Sequence, residues 1–327
     1  MKRSLWSFRS FALAAALIAG SAAGAIAQSY PQQPIKIIIP FAAGGGGDVV
    51  GRAVGEQLAE AVGQPIVIEN VAGAGGTLGT ARAAKSPPDG YTLFVGTPST
   101  HGTNVAVYPK LPYDAIKDFA PISHIVTAPS IAVLHPGVPA KNLQELIALA
   151  RVKPGAIAWG TSAIGSIGHM SGELLNRLAK VQMTHVPYKG GGQAVIDVLA
   201  GQIPMVIIGM TAVTPHVRSG RLRPIATTGA KRSFAFPDVP TVAEQGFPGF
   251  AADAWYGLLT TAGTPRPIVD KLYAEVIRIM KLPESKERMA NVGFEIVAST
   301  PAEFAQLIRD EIPKWTKVVR EAGIRAE

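Results

Sequence analysis

Four short stretches combine residue types that can hold an anion without a charged clamp: residues 41–48, with four consecutive glycines at 44–47, then 73–77, 162–169 and 188–192. Each follows an apolar run of strand character and leads into an apolar period of helical spacing. A helix that begins in such a loop presents unpaired N–H groups and the positive end of its dipole, and both favour negative charge. Glycine lets a ligand approach the backbone closely. One such loop is ordinary in an α/β protein. Several, spread over two halves of a chain, point to a cleft lined with donors.

The side chains in these loops each have a plain reading beside the functional one. Asp48 reads first as the N-cap of the helix after the glycines and second as a ligand group. Ser166 also reads first as an N-cap. His169 and Glu173 stand i, i+4 on one helix face; with no third ligand in view they read as a hydrogen-bonded or solvated pair and not as a metal site. Tyr188 and Trp255 fit ordinary core positions, and Lys189 a solvated loop charge. Thr97, Ser99, Thr100 and His101 follow the third strand, where a loop residue is positioned to reach the cleft.

Catalytic and nucleotide-binding patterns fail on inspection. With Gly44 and Gly46 as the first two glycines of a dinucleotide fingerprint, the third place is Val49. Glu69 ends the second strand, where a dinucleotide fold keeps its ribose-binding acid, and is the one feature that keeps that reading open. No G-K-[ST], G-x-S-x-G or H-E-x-x-H occurs, and the six histidines are scattered singly. No cofactor is expected.

The elements that must position these loops follow from periodicity. Residues 35–39, bracketed by Pro34 and Pro40, form a β-branched run of the kind buried on both faces of a parallel sheet. Val50, Val54, Leu58 and Ala61 recur at helical spacing up to Gly63, a C-terminal glycine. Strands at 66–68 and 91–95, with a short helix ending near Ala84 between them, complete a β-α-β-α-β unit. The pattern restarts with strands at 131–134, 156–159, 183–186, 205–208 and 222–227, with helices at 142–151 and 166–180, and with a helix ending near Ala200. A strand at 255–259 and amphipathic helices at 268–280 and 301–322 follow. The helices have no sheet of their own to cover and are expected to pack back on the first unit. The chain then crosses between units twice, near residues 124–130 and 248–254. The expected fold class is therefore α/β with two lobes, each a sheet flanked by helices, and a ligand cleft between them. Lobe 1 takes residues 28–126 and 252–327, and lobe 2 takes 127–251. Ligands in such sheets bind at the carboxyl ends of the strands.

The N-terminus sets the compartment. Lys2, Arg3 and Arg9 precede an apolar run and the A-x-A sequence Ala25-Ile26-Ala27, the pattern of a Sec signal peptide ending at residue 27. The apolar run falls short of the roughly 18 residues a membrane span needs. With no cysteine there is neither a lipid anchor nor a disulfide. The net charge of +8 includes three basic residues of the leader, which leaves +5 (28 basic against 23 acidic) on a mature chain of 300 residues. These charges are dispersed, so nucleic acid is not an expected partner.

The assembled motifs have a family likeness. Residues 40–48 (PFAAGGGGD), 73–76 (GAGG), 89–93 (DGYTL), 187–190 (PYKG), 238–244 (DVPTVAE) and 255–259 (WYGLL) together resemble the Bug family, the extracytoplasmic solute receptors of tripartite tricarboxylate transporters. The resemblance spans the mature chain. It implies a periplasmic protein of a Gram-negative bacterium that closes, in the manner of a Venus flytrap, on a small carboxylate and passes it to membrane transporter subunits. It implies a monomer that is not an enzyme. By the same likeness Phe41, Gly45, Gly46 and Asp48, with Thr97, Ser99 and Thr100, face the ligand from the first lobe. Ser162, Ser166, His169 and Tyr188 face it from the second. Gln193, Pro204 and Ile208 depart from the family's usual residues, and Gly191 and Gly192 make their loop unusually bare, so a more apolar or roomier second wall is expected. Two other classes stay open on the residues alone: an exported hydrolase, and a solute sensor for a membrane signalling protein.

Overall fold

The computed structural model describes residues 30–188 and 190–324; the expected signal peptide and Lys189 lie outside the described residues. The chain begins β1 (Ile35–Ile39), α1 (Gly46–Val62), β2 (Ile66–Asn70), α2 (Thr77–Ala84), β3 (Thr92–Gly96), α3 (Asn104–Val107) and β4 (Phe119–Ala128). It continues through β5 (Ser130–Leu134), α4 (Leu143–Val152), β6 (Ala158–Thr161), α5 (Ile167–Ala179), β7 (Thr184–Pro187), α6 (Gly191–Leu199), β8 (Met205–Gly209), α7 (Met210–Arg218) and β9 (Arg223–Thr227). It closes with β10 (Ala254–Thr261), α8 (Arg266–Lys281), α9 (Pro283–Asn291), β11 (Glu295–Ile296) and α10 (Pro301–Glu321).

Two sheets result. The first has strand order β11-β4-β10-β3-β1-β2 and the second β7-β6-β8-β5-β9. The isoleucines of β1 explain its interior place: Ile35, Ile37, Ile38 and Ile39 are all buried, with β2 and β3 paired parallel on either side. Helix α1 lays Val50, Val54 and Leu58 into the core on one face of this sheet, and α8 packs beside it with Ile268, Leu272 and Val276. The other face carries Phe94, Trp255, Leu259, Phe304 and Ile308. Both sheets are mixed: β10 lies antiparallel between β3 and β4, and β5 runs antiparallel to β8 and β9. The chain passes from the first sheet to the second through Pro129 and returns through the segment between Thr227 and Ala254.

Several elements differ from the sequence reading. Strand β4 carries no sequence signal because Pro121 interrupts its apolar pattern; the ladder accommodates it with a register shift between Leu258 and Leu259 of β10. Helix α7 was hidden by Pro215, which sits inside it. The residues after β3 are no open loop but a π turn, Ser99–Thr103, that runs straight into α3. Helix α10, expected on the first unit, does not pack there alone. At 21 residues it is roughly 30 Å long, more than one sheet can cover. Its first half serves the first sheet through Phe304 and Ile308, whereas Trp315, Val318 and Val319 pack among Met170, Leu174 and Leu175 of α5. Arg177 of α5 also pairs with Glu321 at 2.9 Å. The helix therefore spans both units.

Candidate functional site

The loops singled out above lie at the carboxyl ends of β1, β2, β3, β6 and β7. On the first sheet, the glycines after β1 are already helical: α1 starts at Gly46 with Gly45 as its N-cap residue. Asp48 is therefore not the cap. It sits within the first turn and reaches back, accepting from the Gly44 N–H at 2.9 Å, from Arg52 Nε at 3.0 Å and from Asn70 Nδ2 at 3.0 Å. Asn70 also donates to the Phe41 carbonyl at 3.0 Å. Burial acts to raise the Asp48 pKa, but hydrogen bonds from Arg52, Gly44 and Asn70 outweigh it and hold the carboxyl below its usual range. The carboxylate is thus fully engaged as the bracket of the loop. What the loop leaves open is backbone: the N–H groups of Gly46 and Gly47 have no partner among the described residues.

The segment after β3 supplies hydroxyls. Thr100 is occupied internally, its Oγ1 3.0 Å from the Thr97 N–H and 2.9 Å from His101 Nδ1. His101 is enclosed, and burial pushes its pKa down to about 3. Ser99, half-buried, has a hydroxyl with no hydrogen bond among the described residues. The second glycine loop is tied to this segment: Asn104 Nδ2 donates to the Gly75 carbonyl at 3.0 Å, and Phe41 and Thr100 close over Gly76.

On the second sheet, Ser166 is the N-cap of α5, as its type and place foretold, accepting from the His169 N–H at 3.4 Å. His169 Nδ1 accepts from the Gly165 N–H at 3.0 Å, and its Nε2 lies 3.6 Å from Glu173. The histidines are single in sequence but not in space: His169 stacks on His185 of β7. Tyr188 donates to Asp197 of α6 at 2.8 Å, so its hydroxyl fixes α6 to the strand end. Ser162 accepts the Gly190 N–H at its carbonyl and leaves its hydroxyl without a partner among the described residues. The space beside Gly191 is filled, since Ile208 Cδ1 lies 2.5 Å from where a Cβ would stand; beside Gly192 it is open. Ile164, 56% exposed, adds an apolar tip to the loop.

The two sets of loops face each other. Thr103 Oγ1 meets the Gly165 carbonyl at 3.5 Å from one side, and Thr211 Oγ1 donates to the Val292 carbonyl at 3.0 Å from the other. Asn70, Thr103, Asn104 and His185 escape sequence reasoning because each acts by a contact distant along the chain; Arg52 meets Asp48 at i, i+4 and is missed because Asp48 reads as a cap and not as an acceptor inside the helix. Glu69, the acid that kept a nucleotide reading open, is engaged by Lys36 at 3.1 Å and by Arg82. Among the described residues no group of three His, Cys, Asp or Glu side chains is placed to hold a metal ion. A separate groove of about 560 Å³, lined by Ala120, Arg266, Tyr273 and Pro301 among others, lies at the opposite end of β4 and β10 from these loops.

The chain is similar to known proteins over most of its length. Residues 50–324 match the family described as tripartite tricarboxylate transporter family receptor. BugT of Bordetella pertussis is 38% identical over 308 residues, covering 94% of both chains. A solved structure of Rpa4515 from R. palustris with adipate has 34% identity and a TM-score of 0.81, covering 90% of this chain and 99% of that one. MatC from Rhodopseudomonas palustris with bound malate has 37% identity and a TM-score of 0.77, covering 89% of this chain and all (100%) of the other.

Proposed function

Because the chain belongs to the family of tripartite tricarboxylate transporter receptors, which are periplasmic substrate-binding proteins, we propose that it captures a small carboxylated solute between its two sheets and releases it unchanged to membrane transporter subunits. The observation that carries this reading is the pairing of donors. The α1 N-terminus offers the N–H groups of Gly46 and Gly47, and Ser99 and Ser162 offer hydroxyls, all without a partner among the described residues, from the loops that follow β3 of the first sheet and β6 of the second. Hydrogen bonds from such donors to a carboxylate are short and strong, so no arginine clamp is required. The bound adipate and malate of the two Rhodopseudomonas relatives support the ligand class.

In this proposal the lobes are residues 28–126 with 252–327, and 127–251, joined at Pro129 and at the segment before β10. The first lobe binds the solute, and closure brings up the 162–169 loop. Phe41, Gly45, Gly46, Thr97, Ser99, Thr100, Ser162, Ser166, His169 and Tyr188 form or support the walls, with Asp48 as the bracket behind them. The protein acts as a monomer in the periplasm after loss of residues 1–27, and it is a binding protein and not an enzyme. Among the described residues no helix is long and apolar enough to cross a membrane.

Thermal unfolding of the purified protein against a panel of mono-, di- and tricarboxylates tests this. A ligand at 100 times its Kd adds about 2.7 kcal/mol, a rise of several degrees for a chain of this size. A shift by an acid recovered unchanged supports capture. An acid consumed in the assay makes the protein an enzyme instead, and no shift across the panel ends the carboxylate reading.

A further inference from the structure

In the run Trp255-Tyr256-Gly257 each residue has a distinct task. Trp255 turns toward α10 and donates Nε1–H to Glu311 at 3.2 Å. Gly257 gives way to Phe304, whose ring occupies the space a Cβ would need. Tyr256 takes the other face of the strand, and the ladder slips in register between Tyr256 and Gly257. A bulge of this kind re-aims the side chain beside it. Gly257 pairs with Gly96, the last residue of β3, so Tyr256 stands just past the carboxyl end of that strand, where Thr97 begins.

There its ring lies against Phe294, with centroids 5.5 Å apart, and 3.7 Å from the place of a Cβ on Gly47. The phenol end rests on Gly46, the first residue of α1; a Cβ there would overlap the hydroxyl oxygen and come within 2.6 Å of Cζ. Yet this hydroxyl makes no hydrogen bond among the described residues, although the side chain is half-buried. Phenols in that position normally find a partner. Burial pushes the pKa up to about 12, so the group is a neutral donor at any physiological pH.

We propose that Tyr256 is a further ligand-binding residue: its hydroxyl donates to the carboxylate seated on the Gly46 and Gly47 N–H groups and, because it stands fixed on β10, decides how far an acid can push toward the strand. The inference rests on the carboxylate-receptor reading above and adds to it a residue from the returning strand. The acid's carboxylate would thereby meet donors from two elements of the first lobe before the second lobe closes.

The test is Tyr256→Phe, which keeps the ring against Phe294 and removes only the hydroxyl. Adipate and malate are titrated calorimetrically into the wild-type and variant proteins, and unliganded unfolding is measured for both. For each acid that the wild type binds, the expected result is a Kd roughly ten- to hundredfold higher in the variant, with unfolding of the free protein nearly unchanged. A crystal of the wild-type complex should place a carboxylate oxygen about 2.7 Å from the phenol oxygen. Binding by wild type that stays within twofold in the variant overturns this assignment and leaves the receptor reading standing. Should the wild type bind neither acid nor any member of the wider panel, the receptor reading and this assignment both fall.

Discussion

The imidazoles of His169 on α5 and His185 on β7 lie face to face, with centroids 3.7 Å apart and planes 10° from parallel. Each ring is held at its edge: His185 Nε2 lies 2.7 Å from the Thr161 hydroxyl, and His169 Nδ1 accepts from Gly165. Glu173 lies 3.6 Å from His169 Nε2. Burial first, and the neighbouring His169 second, push the His185 pKa down to about 3. Unfolded histidine takes its proton near pH 6.5, so between about pH 3 and that value the unfolded chain binds more protons than the folded one. The stability this ring contributes is complete above that range and shrinks as pH falls into it. His101 and His124, pushed down by burial to about 3 and about 4, act in the same direction. Urea unfolding should therefore show stability falling from about pH 7 to about pH 5, by at most about 1.4 kcal/mol per pH unit for each histidine. His185→Phe keeps a flat ring in the stack and should flatten that slope by one histidine's share; an unchanged slope would show that His185 does not titrate in this way.

The Asp48 bracket makes a separable claim. Its Arg52, Gly44 and Asn70 partners hold the carboxyl below its usual range, so its contribution is intact above about pH 4 and is lost only in stronger acid. Asp48→Ala leaves a guanidinium, an amide and a backbone N–H without their acceptor and should cost roughly 2–3 kcal/mol at neutral pH. Ligand affinity should fall with it, since Gly46 and Gly47 lose their fixed direction. Asp48→Asn, which retains an acceptor oxygen, should lose less of both. Equal affinity in all three proteins, read by calorimetry with a bound acid, would remove the loop from the binding site.

The sequence carried the lobes and the loops further than the contacts within them. Strand β1 was legible because burial on both faces demands an unbroken β-branched run, helix α1 because burial on one side imposes a period, and Ser166 because capping is a local bond. Asp48 was misplaced by the glycines before it: a helix start reads from a polar cap, and here Gly45 fills that position with backbone alone. Asn70, 22 residues from Asp48, and His185, 16 residues from His169, meet their partners only when neighbouring strand ends are brought together. Tyr256 sits inside a motif that carries the family likeness, and the direction of its ring depends on a bulge that no local signal announces.

Asp253 lies in the segment that returns the chain from the second sheet to the first, and its Oδ1 is buried without a partner among the described residues. Burial pushes its pKa up to about 6, Lys314 and the Ala230 N–H oppose this, and Glu295 and Glu311 add to it. A folded-state value above the unfolded one, near 3.9, means that the folded chain holds an extra proton in between. Its favourable contribution is complete below about pH 4 and is lost as pH rises through about 6. At neutral pH the ionised group thus works against the fold at the junction of the lobes. Asp253→Asn should raise stability by roughly 1–3 kcal/mol at about pH 8 and leave it unchanged near pH 4. Thermal melts of the two proteins at both pH values check this; a gain at acid pH as large as at alkaline pH would assign the effect to something other than the charge.

The fit between Gly46 and Tyr256 can be tested from the glycine side. Gly46 has helical backbone angles, so its need to be glycine is one of space and not of conformation. A methyl group there collides with the Tyr256 phenol, and neither partner can yield freely: Gly46 belongs to the first turn of α1, and the phenol ring is held by Phe294. Overpacking of this kind costs roughly 1–3 kcal/mol, more than the helix propensity that alanine gains over glycine. Gly46→Ala should therefore lower stability, and it should weaken acid binding because the displaced helix start and phenol no longer converge. Tyr256→Leu alone should also destabilise, through the lost ring packing. Together the two changes should cost less than their sum, since leucine vacates the space the methyl group needs; coupling of about 1 kcal/mol is expected for residues in direct contact. Strict additivity in denaturant unfolding would mean that the methyl group is accommodated by movement of α1 instead, and that the phenol and the helix start do not constrain each other.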